Sequence, residues 1–397
     1  MPINNSNGPT MKRGWRIYFM VLIFSVALLE ILFRIIVFPQ WRSVSLSRFE
    51  QHPIYETFQK PNLSVRRFNP PNYDVINTTN SWGFRDRENG FEDDLAGIWM
   101  AGASNSYGGF MEDDEIMSAQ LQAIGFKNAN LSSEGHRLHQ QMRVVRHLTD
   151  QGYRPCAVIF ELTLNNVVKD YTYAIKELAL PLVVNRTKNA PDFSAVQVLV
   201  HNLGALANVA NVSLFSFKVR LINNSAIYTW AKVGVNLVPF LRQATVRWGL
   251  RADVALVNLL PVSVYRDEPG NPADVVFGLT ADYIAVIRGW VADNLDVPFA
   301  VILVPGGHHL NRDWFERYMS HLGLNAEEYY PSRPYDKLLS ALRSRGIAVL
   351  DTALSMESAG RFLNFPDDGH TNAVGHAIIA RQLAAWLPNI LGREQGQ

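Results

Sequence analysis

The sequence predicts an α/β fold: a three-layer α/β/α domain on a parallel sheet of about five strands, preceded by an N-terminal transmembrane helix and interrupted by a mostly helical insertion. Three features carry this expectation. After about residue 95, short apolar runs alternate with longer amphipathic ones, the pattern of β-α units whose strands are buried on both faces. Ile17 to Val37 is mostly apolar, and a helix rising about 1.5 Å per residue over that stretch crosses ~30 Å of hydrocarbon. Between the third and fourth apolar runs lie about a hundred residues, far more than a crossover between parallel strands needs.

In chain order, residues 1–16 carry Lys12, Arg13 and Arg16 just before the apolar stretch. By the positive-inside rule this segment is cytoplasmic, residues 17–37 span the membrane, and the rest is extracytoplasmic. Glu30 and Arg34 interrupt the span at helical i, i+4 spacing, which lets them pair on one face. The stretch is long and runs into Phe38-Pro39-Gln40-Trp41, without the small-residue site of a cleaved signal peptide. Residues 38–94 are rich in Pro, Asn and Arg and read as a linker and lead-in. The main domain is expected over 95–390, with strands at Gly97–Gly102, Asn128–Leu131, Ala157–Leu162, Pro298–Val304 and Ile347–Asp351. Helices are expected at Glu115–Ile124, His136–Gln151, Ala281–Asn294, Tyr335–Arg345 and Asn372–Trp386. The insertion covers 170–277. Its amphipathic runs, Phe193–Leu206 and Ile227–Leu241, suit a helical lid over the site or an element resting on the membrane.

A net charge of +1 and the absence of long Lys/Arg runs exclude the electrostatic footprint of a nucleic-acid binder. The single cysteine, Cys156, rules out an intramolecular disulfide and a cysteine zinc site. Beside an apolar run, it is expected to be a buried structural residue. No cofactor or metal is expected.

Two segments carry chemistry. Met100-Ala101-Gly102-Ala103-Ser104-Asn105-Ser106-Tyr107-Gly108-Gly109 places Ser104 on a strand-to-helix turn, at the carboxyl edge where open α/β sheets bind ligands. Far down the chain, Phe365-Pro366-Asp367-Asp368-Gly369-His370 offers an acid three residues before a histidine. Asp367 could hold the His370 tautomer whose Nε2 accepts a proton from a serine. The expected catalytic set is Ser104, Asp367 and His370. Activity should then rise with pH across about 6–7, where an imidazole loses its proton.

These blocks resemble the SGNH, or GDSL-like, hydrolase superfamily, named for dispersed Ser, Gly, Asn and His residues. Gly102-Ala103-Ser104 resembles its Gly-Asp-Ser block, and Asp367 with His370 its Asp-x-x-His block. Asn130-Leu131-Ser132-Ser133-Glu134-Gly135 resembles the second block, and Thr163-Leu164-Asn165-Asn166 the third. The resemblance implies a flavodoxin-like α/β/α fold and an oxyanion hole made by the Ser104 and Gly135 backbone N–H groups with the Asn165 side chain. Asn80-Ser81-Trp82-Gly83-Phe84-Arg85 resembles a lead-in of membrane-anchored bacterial members. Such members commonly act on O-acetyl groups of cell-surface polysaccharides, which implies an acyl ester or glycan substrate and an esterase or acetyltransferase reaction.

The chain departs from the pattern at Ala103, Thr163 and Asn166, where the family usually has Asp, Gly and Asp. Ala103 and Asn166 favour a second class, an inactive envelope protein that keeps the fold to bind a glycan or protein partner. An α/β-hydrolase would need Gly at the place of Ser106 and an acid far from its histidine. Asn105 and the adjacent His308 and His309, after the fourth strand, are candidate substrate contacts at the same sheet edge. Trp82, Arg85 and His376 read as structural.

Overall fold

The computed structural model describes residues 10–37, 48–69, 72–164, 225–247, 254–256, 260, 262–271, 273–359, 362–366 and 368–392. The apolar N-terminal stretch forms a helix, Thr10–Leu32, continued by a π-helical turn, Phe33–Val37. Trp15–Ile35 is long and apolar enough to cross a membrane, and its side chains are exposed throughout most of its length. Arg34 Nε donates to Glu30 Oε1 at 3.0 Å, the pairing their spacing suggested. A second helix of comparable length and apolarity, Asp274–Leu295, is instead a core helix, with Phe277, Ile284, Ile287 and Val291 buried.

The segment expected to be a linker is folded. Strand β1 (Phe49–His52) pairs antiparallel with β2 (Glu56–Gln59), and β3 (Ser64–Asn69) with β4 (Tyr73–Thr78). Phe58 and Phe84 from this region are buried in the main core, so the lead-in is part of the domain wall.

The central sheet holds β5 (Ile98–Ala101), β6 (Asn128–Asn130), β7 (Ala157–Thr163), β8 (Phe299–Val304) and β9 (Ala348–Asp351). Their spatial order is β6-β5-β7-β8-β9, all parallel. Every residue of β5, β7 and β8 is buried, as expected of strands covered on both faces. One core cluster combines Trp99, Val158, Phe160 and Val301 with helices Leu138–Asp150, Asp274–Leu295 and Arg333–Ser344. The other combines Met100, Ile159, Ala300 and Ile302 with Met117–Ala123 and Ala373–Leu391. Alternate residues along each strand thus face opposite helical layers, which makes three layers.

The order reverses at β5, which lies between β6 and β7. That reversal opens a crevice at the carboxyl ends of these strands. The insertion contributes the α-helices Ala226–Leu237 and Pro239–Arg247 and the short 3-10 helices Val254–Leu256 and Val262–Tyr265. Residues 193–206 lie outside the described residues. A short hairpin, β10 (Asn364–Phe365) with β11 (Asp368–Thr371), precedes the last helix. Cys156 is exposed, because its N–H donation to Gly97 O places it at the entry of β7, short of the buried run.

Candidate active site

β5 ends at Ala101, and the chain turns through Gly102 into a single helical turn, Ser104–Tyr107. A Cβ on Gly102 would sit 2.7 Å from Ser106 Cβ and 3.1 Å from Glu161 Oε2, so only glycine fits there. The turn ends on Gly108, at φ 66° in the left-handed region, whose N–H bonds back to the carbonyls of Ser104 and Asn105. Arg85, 1% exposed, fastens the far side: its guanidinium donates to the carbonyls of Tyr107, Gly108 and Met111 and pairs with Asp113 at 2.8 Å. The lead-in motif therefore acts through this clamp, in keeping with a structural role for Arg85. Trp82 packs edge-on against Tyr153.

The other half of the site comes from β11. His370 Nε2 lies 2.8 Å from Ser104 Oγ. Its Nδ1 is hydrogen-bonded to Asp368 Oδ1, which also accepts from the His370 N–H at 3.1 Å. With Nδ1–H facing a carboxylate, Nε2 is the basic nitrogen and the serine hydroxyl donates to it. The acid described at this histidine is Asp368, and the expected Asp367 lies outside the described residues. Strand geometry gives the reason: residues two apart on β11 share a face, so Asp368 and His370 point the same way. Asp368 is pushed up by burial, but the bond and charge of His370, with Arg67 behind, outweigh this and hold it below the usual carboxylate range. Asn105 Oδ1 accepts from the Thr371 N–H at 3.2 Å, tying the serine turn to β11. That bond assigns Asn105 a tethering position beside the pair.

Behind the pair lies a charged network that sequence reasoning missed. Glu134 is bridged by Arg48, at 3.0 Å, and by Arg67, which also donates to Gly109 O. Burial raises the Glu134 carboxyl, yet Arg67 and Arg48 bring it down to about 2. Arg67 lies over the Phe110 ring, and Phe110 packs 4.3 Å from the His370 ring, so β3 of the lead-in braces the base. Next in sequence is Gly135, at φ 79°. Its loop is drawn to the serine turn by Ser133, whose N–H donates to Gly102 O at 3.3 Å. Gly135 lines a cavity of about 260 Å³ with polar neighbours including Glu56, His136, His139 and Gln140. Asn165 lies outside the described residues.

Glu161 on β7 was also missed, although a carboxylate inside the run Ala-Val-Ile-Phe-Glu-Leu-Thr was the available signal. It is 4% exposed and sits beneath the serine turn, accepting from Ser106 Oγ at 3.1 Å. Burial pushes it up to about 7, against the opposing pull of Ser106 and of the backbone at Ala103. Ala103 is buried in the same turn, and Glu161 brings a carboxyl group beneath it from the neighbouring strand.

His308 and His309 are occupied by the protein. His308 is buried between the Ala255 carbonyl, 2.8 Å from Nε2, and the Tyr265 hydroxyl, 3.2 Å from Nδ1, and stacks on Tyr318. His309 Nε2 bonds Glu357 at 2.6 Å. His376 Nδ1 accepts from the Met117 N–H, and burial lowers it to about 3, which fits packing. Among the described residues there is no cluster of three or more metal-ligating side chains.

Comparison with protein-family models and with curated proteins finds no match. Among solved structures, the chain is similar to a member of the lipolytic protein G-D-S-L family from Veillonella parvula, at 8% identity and a TM-score of 0.35. The alignment covers 73% of this chain and 96% of that one.

Proposed function

We propose that this chain is a membrane-anchored, extracytoplasmic serine esterase or O-acyltransferase of the SGNH type, acting on acetyl esters of cell-surface glycans. The observation that carries this reading is the Ser104–His370 contact at 2.8 Å, with Asp368 on the opposite ring nitrogen. His370 takes the Ser104 proton as Oγ attacks the ester carbonyl, and Asp368 stabilises the imidazolium that forms. The resulting oxyanion is received by the Ser104 and Gly135 N–H groups and the Asn165 amide, each worth on the order of 3 kcal/mol of barrier. Collapse expels the alcohol, protonated by His370, and leaves an acetyl-serine; water or a second hydroxyl, giving its proton to His370, then takes the acetyl group, and Ser104 leaves reprotonated. The polar cavity beside Gly135 suits a hydroxyl-rich acceptor.

The apolar helix and the basic residues before it support an anchor with a cytoplasmic N-terminus. A fluorophosphonate probe is expected to label the wild type and spare Ser104→Ala and His370→Ala. Labelling of all three alike, or of none, would leave a non-catalytic glycan-binding role as the better reading. Acetate release with and without an oligosaccharide acceptor separates the two enzyme classes, because a transferase diverts acetyl from water.

A further inference from the structure

Among the described residues, helix Ala226–Leu237 of the insertion is fastened to the N-terminal helical segment through Glu30. Glu30 Oε1 accepts from the Ala226 N–H at 2.6 Å, and its Oε2 accepts from the Ile227 N–H and the Ser225 hydroxyl, each at 3.1 Å. A carboxylate on the apolar helix thus caps the N-terminus of helix Ala226–Leu237, satisfying donors no helix can satisfy internally. Phe33 packs against Trp230 with ring centroids 5.3 Å apart. Within the candidate span Trp15–Ile35, Glu30 stands five residues from the end. At about 1.5 Å per residue it lies about 7 Å inside that boundary. The insertion helix therefore begins below the level where the span ends.

Two further observations indicate what surrounds it. Trp230, Leu237, Val238, Phe240 and Leu241 are exposed, Phe240 at 73%, as are most apolar side chains of the N-terminal helix, and Trp230 adjoins that helix through Phe33. From Ala226 to Arg247 there is no acidic residue, against Lys232, Arg242 and Arg247. Apolar side chains with a purely basic complement are the composition of helices that lie in the plane of an anionic leaflet.

We infer that Ala226–Arg247 is a membrane-embedded interfacial element, seated in the leaflet on the catalytic side and held there by Glu30. It rests on the reading of Trp15–Ile35 as a transmembrane helix. Glu30 is accordingly a docking residue inside the membrane boundary, and the insertion joins the catalytic domain to the lipid surface at a second place.

The test uses the full chain in Cys156→Ser background, reconstituted in phosphatidylcholine and phosphatidylglycerol vesicles. Single cysteines at Val21→Cys, Phe240→Cys and Asp150→Cys carry nitroxide labels, and relaxation by oxygen is compared with relaxation by a water-soluble nickel chelate. The label at position 240 is expected to resemble that at 21, with an oxygen-to-nickel ratio several-fold above that at 150. Adding Glu30→Ala should move the ratio at 240 toward the aqueous value while leaving 21 unchanged. A label at 240 that matches 150 while 21 stays in lipid would overturn the embedded element alone. An aqueous label at 21 would overturn the span, and this inference with it.

Discussion

Glu161→Gln isolates the energetic cost of keeping a carboxyl group beneath the serine turn. The group is 4% exposed and held up at about 7, against an ordinary value of 4.5. Below pH 4.5 it is protonated in both folded and unfolded chains. Between 4.5 and 7 the unfolded chain ionises it first, so folding stability falls as pH rises; above 7 the full cost of a buried charge is present. The difference of about 2.5 pH units, at 1.36 kcal/mol each, amounts to about 3 kcal/mol. Glutamine keeps the shape and an oxygen for Ser106 but cannot ionise. Urea unfolding of the full chain in detergent micelles, wild type beside Glu161→Gln at pH 5, 6, 7 and 8, reads this difference directly. The variant should exceed the wild type by only about 1 kcal/mol near pH 5 and by about 3 kcal/mol at pH 8. Asp86, also raised by burial to about 6, titrates in both proteins and cancels. Two stability curves that stay parallel across this range would refute the assignment of Glu161 as a buried, titrating carboxyl.

The remaining expectations concern the catalytic pair and its supports. Asp368→Asn should lower turnover of an acetyl ester by on the order of 10³- to 10⁴-fold, while Asp367→Asn retains most activity; the reverse ranking would return the acid role to Asp367. Gly102→Ala forces a methyl group against Ser106 Cβ at 2.7 Å. It should cost about 1–3 kcal/mol in denaturant unfolding and weaken fluorophosphonate labelling as the turn shifts. Arg85→Met strips donors from buried carbonyls at the end of the same turn and should cost about 3 kcal/mol, measured the same way.

The five central strands were legible because strands buried on both faces must be nearly continuous apolar runs, as Phe299–Val304 is. The hairpins of residues 49–78 were not legible: each is two-stranded, and β3 carries the adjacent Arg66 and Arg67, bonded diagonally to Asp74 and Asn77 of β4, so no clean apolar alternation announces it. Ser104 and His370 could be read from their blocks. The Asp368 contact was not legible, because a three-residue spacing assumes a loop, and here the histidine sits on a strand where Asp368 is the neighbour on its face. Glu134 and Arg67 escaped notice for a different reason. Their partnership joins residues 67 apart in the chain, and no local pattern encodes a contact between separate elements.

Ser104 and His370 are 266 positions apart, and the base arrives on a hairpin that precedes only the final helix. A polypeptide is made and exported from its amino end. Ser104 is therefore synthesised long before the histidine that contacts it, and it lacks that partner while the sheet is assembled strand by strand. Closure of the β10–β11 hairpin onto Asn105 completes the pair. The Ser104–His370 contact is thus deferred until nearly the whole domain has been synthesised, so a chain interrupted before the hairpin never forms it.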